Sequence, residues 1–252
     1  MEIKKNELLF SVIILLVMVL IGLSIGDKLS QHYTQVTERY AKAAMIDDPE
    51  QFLYGMETSF GDALIYGTVT TDTPVTFDEI GGGYIYIEKN HERYTKHTRT
   101  ITRQDANGHT RRETEVYYTW DKVGSVGIAT DTIRFCGFEF GFRAFEMQSE
   151  RLNLNEIGVK NRGNYIYESS NSRYYYRAIP VEMTGTVLAN LQDNTIKDTS
   201  QFYKDQTPEA VLETVNKTAR LRQIFFWILW MMITGSTIYL FLYFDNRWLD
   251  ER

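Results

Sequence analysis

The run LLFSVIILLVMVLIGLSIG, residues 8–26, contains no charged residue and is dominated by Leu, Ile and Val. A second run, IFFWILWMMITGSTIYLFLYF at residues 224–244, is equally free of charge and richer in aromatics. At ~1.5 Å rise per residue, each is long enough as a helix to cross a hydrocarbon core of ~30 Å. Nothing between them comes close in apolarity. The runs divide the chain into a short tail (1–7), a first transmembrane helix (8–26), a large middle, a second transmembrane helix (224–244) and a second short tail (245–252). The expectation is a two-pass integral membrane protein with a mainly β (α+β) extramembrane domain between its two helices.

The first run follows Lys4 and Lys5 and ends in small residues, Gly22, Ser24 and Gly26, as a signal peptide does. It is longer than an ordinary apolar signal core, has no A-x-A-like cleavage site, and runs into a helix-compatible segment from Asp27 to Met45. It therefore reads as an uncleaved signal anchor. Orientation is less sharply marked. Lys28, Arg39 and Lys42 after the first span, with Lys217, Arg220 and Arg222 before the second, favour a cytosolic domain by bare count. Long loops translocate largely regardless of charge, however, and the first helix usually dominates. Lys4 and Lys5 then point to cytoplasmic termini and an extracytoplasmic domain at the cell membrane.

Working inward, residues 27–60 read as a helical stalk and a short helix. Asp48-Pro49-Glu50 is a helix start, with Asp as N-cap, Pro at the first helical position and Glu in the first turn. From residue 61 the period changes to two, and 61–206 reads as the β-rich domain. Ala63 to Val69 is a strand stopped near Thr73-Pro74. Gly81-Gly82-Gly83 breaks the chain before the strand Tyr84 to Glu88. A long polar strand from Arg93 to Arg103 meets a return strand from Arg111 to Asp121 across Asp105-Ala106-Asn107-Gly108, a turn sequence that tolerates positive φ. Ile133 to Phe145 is expected to form one strand with Phe138, Phe140 and Phe142 on its core face. Tyr165-Ile166-Tyr167 and Ser172 to Leu188 suggest a second hairpin. In its latter half Ile179, Val181, Met183 and Val187 should be buried, with Glu182, Thr184 and Thr186 wet. Thr207-Pro208-Glu209-Ala210 starts a helix that runs as a stalk (207–223) into the second span without a breaker.

The sequence carries no P-loop, dinucleotide fingerprint, nucleophile elbow or H-E-x-x-H. Asp78-Glu79, Glu113 and Glu115 form no pattern that marks a glycosidase pair. The triple glycine lacks the helix and Lys-Ser/Thr that an anion cradle would need, and reads as a plain turn. His91, His97 and His109 lie on or near the long hairpin with spacing too loose for zinc, and His32 is polar stalk surface. Cys136, the only cysteine, excludes an intrachain disulfide and reads as a small buried hydrophobe. No cofactor, catalytic residue or metal site is expected.

Two features stand out. Lys89, Arg93, Lys96, Arg99, Arg103, Arg111 and Arg112 make the long hairpin a basic, Thr- and Tyr-rich ribbon suited to an anionic surface or a protein partner, or simply to keeping its edges soluble. A net charge of −6 argues against a general polyanion binder, and no nucleic-acid partner is expected. Within the spans, Gly22 and Gly26 form a G-x-x-x-G that admits a close helix neighbour, and Gly235 offers a small-residue contact on the second helix. These contacts suit either packing within one chain or association of protomers or another membrane protein. No charge lies inside either span, so no ion or proton path is indicated.

In order and flavour, the chain resembles the LUMA-type transmembrane protein family. The features are the membrane helix, Gly67-Thr68-Val69, the Tyr/Glu/Arg-rich hairpin, Tyr117-Tyr118-Thr119-Trp120, Arg162-Gly163-Asn164-Tyr165-Ile166-Tyr167, and an alternating strand ending in Gly185. Residues 60–190 carry the likeness. More distantly, the chain is similar to the beside-a-membrane domain of GIDE-type membrane proteins. The resemblance implies a β-rich domain on the lumenal or extracytoplasmic side that acts in scaffolding or membrane organisation. Only eight residues follow the second span here, and one cysteine cannot supply a zinc-binding ligase module, so effector roles of those parts do not carry over. The leading expectation is a non-enzymatic membrane-anchored scaffold or sensor, ahead of a cytosolic ligand-receiving domain that signals through the helices and of a membrane-bound hydrolase.

Overall fold

A computed structural model describes residues 5–104, 110–197 and 200–250. The Asp105–Gly108 turn and His109 lie outside the described residues, as do Lys4 and Arg252. Two long apolar helices flank a central β-rich domain. Helix α1 spans Lys5–Lys42 and α3 spans Pro208–Asp250; both contain stretches long and apolar enough to cross a membrane. Each continues unbroken from its apolar run to the domain. The polar portions, residues 27–42 and 208–223, are matched in length at roughly 24 Å each.

Helix α1 ends sooner than the helix-compatible segment through Met45 suggests. Strand β1 (Ala44–Ile46) follows it and pairs in parallel with β2 (Gly61–Thr70). Between them lies α2 (Pro49–Glu57), where the Asp48 side chain accepts a hydrogen bond from the Glu50 amide. Then come β3 (Tyr84–Gln104), β4 (Thr110–Ala129), β5 (Thr132–Phe135), β6 (Phe138–Gly141), a 3-10 turn at Phe142–Ala144, β7 (Phe145–Glu146) and β8 (Glu150–Arg151). The chain continues through β9 (Ile166–Ser169), β10 (Ser172–Pro180), β11 (Glu182–Gln192), β12 (Thr195–Ile196) and β13 (Ser200–Lys204).

These strands make two sheets. One runs β6-β5-β2-β11-β13-β7, with β1 beside β2 and β12 beside β11; the other runs β4-β3-β10-β8, with β9 beside β10. The chain crosses between them at the β10–β11 corner. The main core lies where they meet: Ala63, Ile65 and Val69 of β2 and Val187, Ala189 and Leu191 of β11 pack with Ile85 of β3 and Ile179 of β10. Helix α2 closes one side with Phe52, whose ring meets those of Phe135, Phe138 and Phe140 at centroid distances of 6.0, 5.6 and 6.2 Å. Phe138, Phe140 and Phe142 all pack against this core.

The opposite face of the first sheet receives the stalks. Leu64 and its register partner Leu188 bury against Tyr40 and Ala43 of α1 and Val211 of α3. Strand β2 is thus covered on both faces, which is why Ala63-Leu64-Ile65 reads as a continuous apolar run.

Three expectations are corrected. Ile133–Phe145 is a hairpin and not one strand: Cys136 and Gly137 both take positive φ, 49° and 85°, and Phe135 pairs with Phe138. Two consecutive positive φ values make the tight turn whose twist suits flanking strands. Val181, expected in the core, is 39% exposed because it forms the corner between sheets. Thr186, expected wet, is fully buried; its face is the one the stalks cover, and its hydroxyl donates to the Gln206 carbonyl at 2.6 Å.

Candidate partner-binding ribbon and helix contacts

Strand β3 forms one continuous 21-residue element, where the sequence suggested two. Up to Arg93 it pairs with both β10 and β4; beyond that, from Tyr94 to Gln104, it pairs with β4 alone. The result is a two-stranded ribbon projecting roughly 35 Å past its neighbours.

Register sorts the ribbon's side chains, because directly paired residues share a face and adjacent residues along a strand do not. One face carries Arg99 opposite Glu115, Ile101 opposite Glu113, and Thr95 opposite Thr119. Two of its arginines are ion-paired within it. Arg99 Nε lies 2.5 Å from Glu115, and Arg103 lies 3.8 Å from Glu113. Asp121 accepts from the Thr95 and Thr119 hydroxyls and lies 2.6 Å from His97 Nε2. Hydrogen bonds from Thr95, Thr119 and His97, in that order of weight, hold the Asp121 carboxyl below its ordinary range.

The other face pairs Tyr94 with Trp120, Lys96 with Tyr118, Thr98 with Val116, Thr100 with Thr114 and Thr102 with Arg112. It contains no carboxylate. Tyr94, Val116 and Tyr118 are 42, 47 and 52% exposed. Tyr94 stacks on Tyr118 at 5.4 Å and leans on Trp120 at 5.2 Å. The aromatic row continues into the domain, where the Arg173 guanidinium lies between Trp120 (4.0 Å) and Tyr165 (3.7 Å) while its Nε donates to Glu92. Arg151 sits likewise between Tyr165 and Tyr175. Stacking on rings favours planar guanidinium over ammonium here.

The seven basic candidates are therefore not one patch. Lys89 belongs to the domain body, where it pairs with Glu79 at 2.5 Å and lies 4.4 Å from the Tyr174 ring. Arg99 and Arg103 are spent on the ion-paired face. Lys96 and Arg112 stand on the carboxylate-free face. Arg93 and Arg111 fall on the same face as Arg99 by register, and among the described residues neither has an ion-pair partner.

The remaining candidates disperse. His91 Nε2 contacts Ser172 Oγ at 2.8 Å, away from His97, and no group of three His, Cys, Asp or Glu among the described residues is placed to hold a metal. Gly81 and Gly82 take positive φ in a turn in which the Gly81 amide donates to Phe77. Burial pushes the Cys136 thiol up to about 11. A cavity of about 460 Å³ lies at the strand edges around Arg151, Arg177 and Lys204. Its polar groups bind one another: Lys204 pairs with Glu150 at 2.7 Å and Arg177 with Ser149.

Within the apolar runs, α1 and α3 pack directly. A Cβ at Gly22 would collide with the Trp230 indole, and one at Gly26 would lie 2.9 Å from Trp227. Trp230 Nε1 donates to the Met18 carbonyl at 3.0 Å, and Phe10 meets Phe241 at 6.3 Å. The G-x-x-x-G is thus occupied by tryptophans of the same chain. Gly235, expected as a contact, has nothing within 4 Å of its Cβ position; it is on a side of α3 that does not meet α1. The sequence reading missed Trp227 and Trp230, the large residues that small ones exist to admit.

No family model, curated protein or solved structure matches the chain.

Proposed function

We propose that this chain is a two-pass, non-enzymatic membrane-anchored scaffold or sensor. Its ribbon docks a protein partner or an anionic surface close to the bilayer. The observation that carries this reading is the segregation of the ribbon's faces. Among the described residues, the ribbon carboxylates Glu113, Glu115 and Asp121 all lie on one face, leaving Tyr94, Tyr118, Lys96 and Arg112 exposed on the other. A ribbon evolved only for solubility would have no need of exposed aromatics. Tyr117 on the carboxylate face is also 40% exposed but is stacked on His97 with Arg99 over its ring, whereas the other face offers a row of rings, Tyr94, Tyr118 and Trp120, beside Lys96 and Arg112. Aromatics with cations and hydroxyls are the composition of interface cores. The resemblance to LUMA-type proteins supports scaffolding and an extracytoplasmic domain.

The test exploits adjacent residues on opposite faces. With benzoylphenylalanine in place of Tyr118 or of Tyr117, ultraviolet irradiation of native membranes should give an adduct at 118 and little at 117. Lys96→Glu with Arg112→Glu should abolish it. Equal adducts at both positions, or none at either, would sink the proposal. For orientation, a single cysteine at Asn171 in a Cys136→Ser background should label with an impermeant thiol reagent on intact cells. Labelling only after lysis would place the domain in the cytosol. That outcome would favour the second reading, a ligand-receiving domain signalling through its two helices, which draws support from both stalks docking on a single sheet face.

A further inference from the structure

Strand β4 is the edge of its sheet along its whole length: among the described residues it pairs with β3 alone. The N–H and C=O groups on its outer side are a template for another strand, and no proline interrupts them. One device breaks this edge. Glu92 pairs with Lys122 and His91 with Gly124, so Val123 is an extra residue, a bulge that bends the strand and ends regular pairing. From Thr110, where the described strand begins, to Lys122 the edge is uninterrupted, and its midpoint is Val116. This stretch belongs to the two-stranded part of the ribbon, which holds none of the buried core side chains between Arg93 and Thr119. Two strands alone are marginal in water.

The charges on the edge suit a second copy of the same strand. A two-fold axis perpendicular to the ribbon runs the two β4 strands antiparallel and returns each face to itself, so odd residues meet odd and even meet even. With the axis at Val116, Arg111 stands opposite Asp121, Arg112 opposite Trp120, Glu113 opposite Thr119, Thr114 opposite Tyr118 and Glu115 opposite Tyr117, each twice. Arg111 has no ion-pair partner of its own among the described residues. Asp121 Oδ1 accepts from the Thr119 hydroxyl, while Oδ2 takes Thr95 and His97, so Oδ1 has room for a guanidinium. Arg112 over an indole is a favourable cation–π pair. Other centres fail on charge. Sliding by two residues sets Glu115 against itself in one direction, and Arg112 against Lys122 with Glu113 against Asp121 in the other. Sliding by four sets Glu113 against Glu115, or Glu115 against Asp121. The bulge and the charges thus select the same centre independently. The opposite ribbon edge, β3 beyond Arg93, carries Lys96, His97, Arg99 and Arg103 with no carboxylate, and repels its own copy.

We propose that the chain forms a homodimer through β4, antiparallel about Val116, which joins two ribbons into one four-stranded sheet. Two chains anchored in one bilayer meet this way when the axis stands along the membrane normal. The contact uses only strand edges, leaves both ribbon faces open, and is independent of what the aromatic face docks.

Single cysteines in the full chain with Cys136→Ser, oxidised by copper phenanthroline in native membranes, test it. Val116→Cys should give a disulfide-linked dimer, because a residue on the axis faces its own copy at a Cα separation of about 4.5–5.5 Å, which a disulfide accepts. Thr114→Cys, also exposed, should give about tenfold less, since its copy lies about 14 Å away along the strand, and Val123→Cys should give none. In mild detergent the full chain should sediment as a dimer. Val116→Lys sets two ammonium groups face to face at an exposed position and should weaken dimerisation about tenfold, as should Arg111→Glu. Adding Asp121→Lys to Arg111→Glu restores the opposite-charge pairs and should recover the dimer. Equal cross-linking at 114, 116 and 123 would reduce the contact to random collision and overturn the proposal. A monomer in detergent, no disulfide at 116, or no recovery from the charge swap would overturn it too. Photo-adducts from 117 or 118 with twice the chain's mass report this contact, whereas adducts to another protein report what the aromatic face docks, so the two proposals fail separately.

Discussion

At the residue scale, Cys136 and Phe52 show how position decides chemistry. Cys136 sits in the β5–β6 turn with its sulfur half-buried, 4.0 Å from the Tyr66 carbonyl. Burial raises its pKa from 9.0 to about 11, so at pH 8 its thiolate population is about a hundredfold below that of an ordinary cysteine. Because the neutral thiol is the favoured folded form, this group contributes nothing unfavourable below pH 9 and costs stability as pH rises above it. Iodoacetamide at pH 8 should therefore modify the folded protein far more slowly than the urea-unfolded chain; matching rates would show an open site. Phe52 is fully buried against three other phenylalanines. Removing it leaves a cavity between α2 and the β5–β6 hairpin, which cannot collapse without moving a strand. Phe52→Ala should cost about 3–5 kcal/mol, read as a lowered urea midpoint at unchanged slope. The inward side of the phenylalanine stripe was legible from its alternation. The turn that folds it was not, because Cys-Gly lacks the Asn or Asp that ordinarily announces two positive-φ residues.

At the element scale, the ribbon's existence was legible and its faces were not. Alternating Thr, Arg and Tyr around an Asn-Gly gives a hairpin, but which side chains share a face depends on register. A two-residue turn at Asn107-Gly108 would have set Tyr94 opposite Asp121 and placed Glu113 and Glu115 beside Thr100 and Thr102. The observed register sets Gln104 opposite Thr110 and Tyr94 opposite Trp120. That one-residue difference moves every carboxylate away from the aromatic row. The row's continuation through Arg173 and Tyr165 depends on β9 and β10 pairing across sequence-distant segments, which no local pattern encodes. The ribbon is also energetically separate: none of the buried core side chains lies between Arg93 and Thr119. Removing residues 96–118 and joining Thr95 to Thr119, a registered pair, through Asn-Gly should leave the thermal midpoint within a few degrees of the parent. A large fall in midpoint would show that the ribbon holds the domain together.

At the scale of the whole molecule, both helices are fixed at two heights, inside the apolar runs and at the first sheet. The upper junction combines the buried Tyr40, Leu64, Leu188 and Val211 with a bidentate pair in which Arg39 donates twice to Asp62 at 2.8 Å. Hydrogen bonds from Arg39, and less so from Asn190, hold the Asp62 carboxyl below its ordinary range against the opposing effect of burial. The contribution is therefore complete above the ordinary carboxylate pKa and is lost as pH falls through the lowered one. Asp62→Asn should remove that acid dependence of domain stability while costing at most about 1 kcal/mol near neutrality, since the pair is partly solvated. The lower junction is steric. Gly22 leaves room for Trp230, whose indole N–H is satisfied by the Met18 carbonyl, and in hydrocarbon an indole without that partner would be costly. Gly22→Ile fills the seat, so the indole must leave, taking its hydrogen bond with it. With both helices still docked on the sheet above, the separation should widen in the apolar runs and not at the domain. Spin labels at Asp27 and Gln223 in lipid nanodiscs should report a narrow distance distribution in the parent and a longer, broader one in Gly22→Ile. Labels at Ala43 and Pro208 should stay unchanged. An unaltered distribution at the lower pair would mean that the helices are held together by the domain alone, and that the glycine–tryptophan contacts are incidental to the coupling.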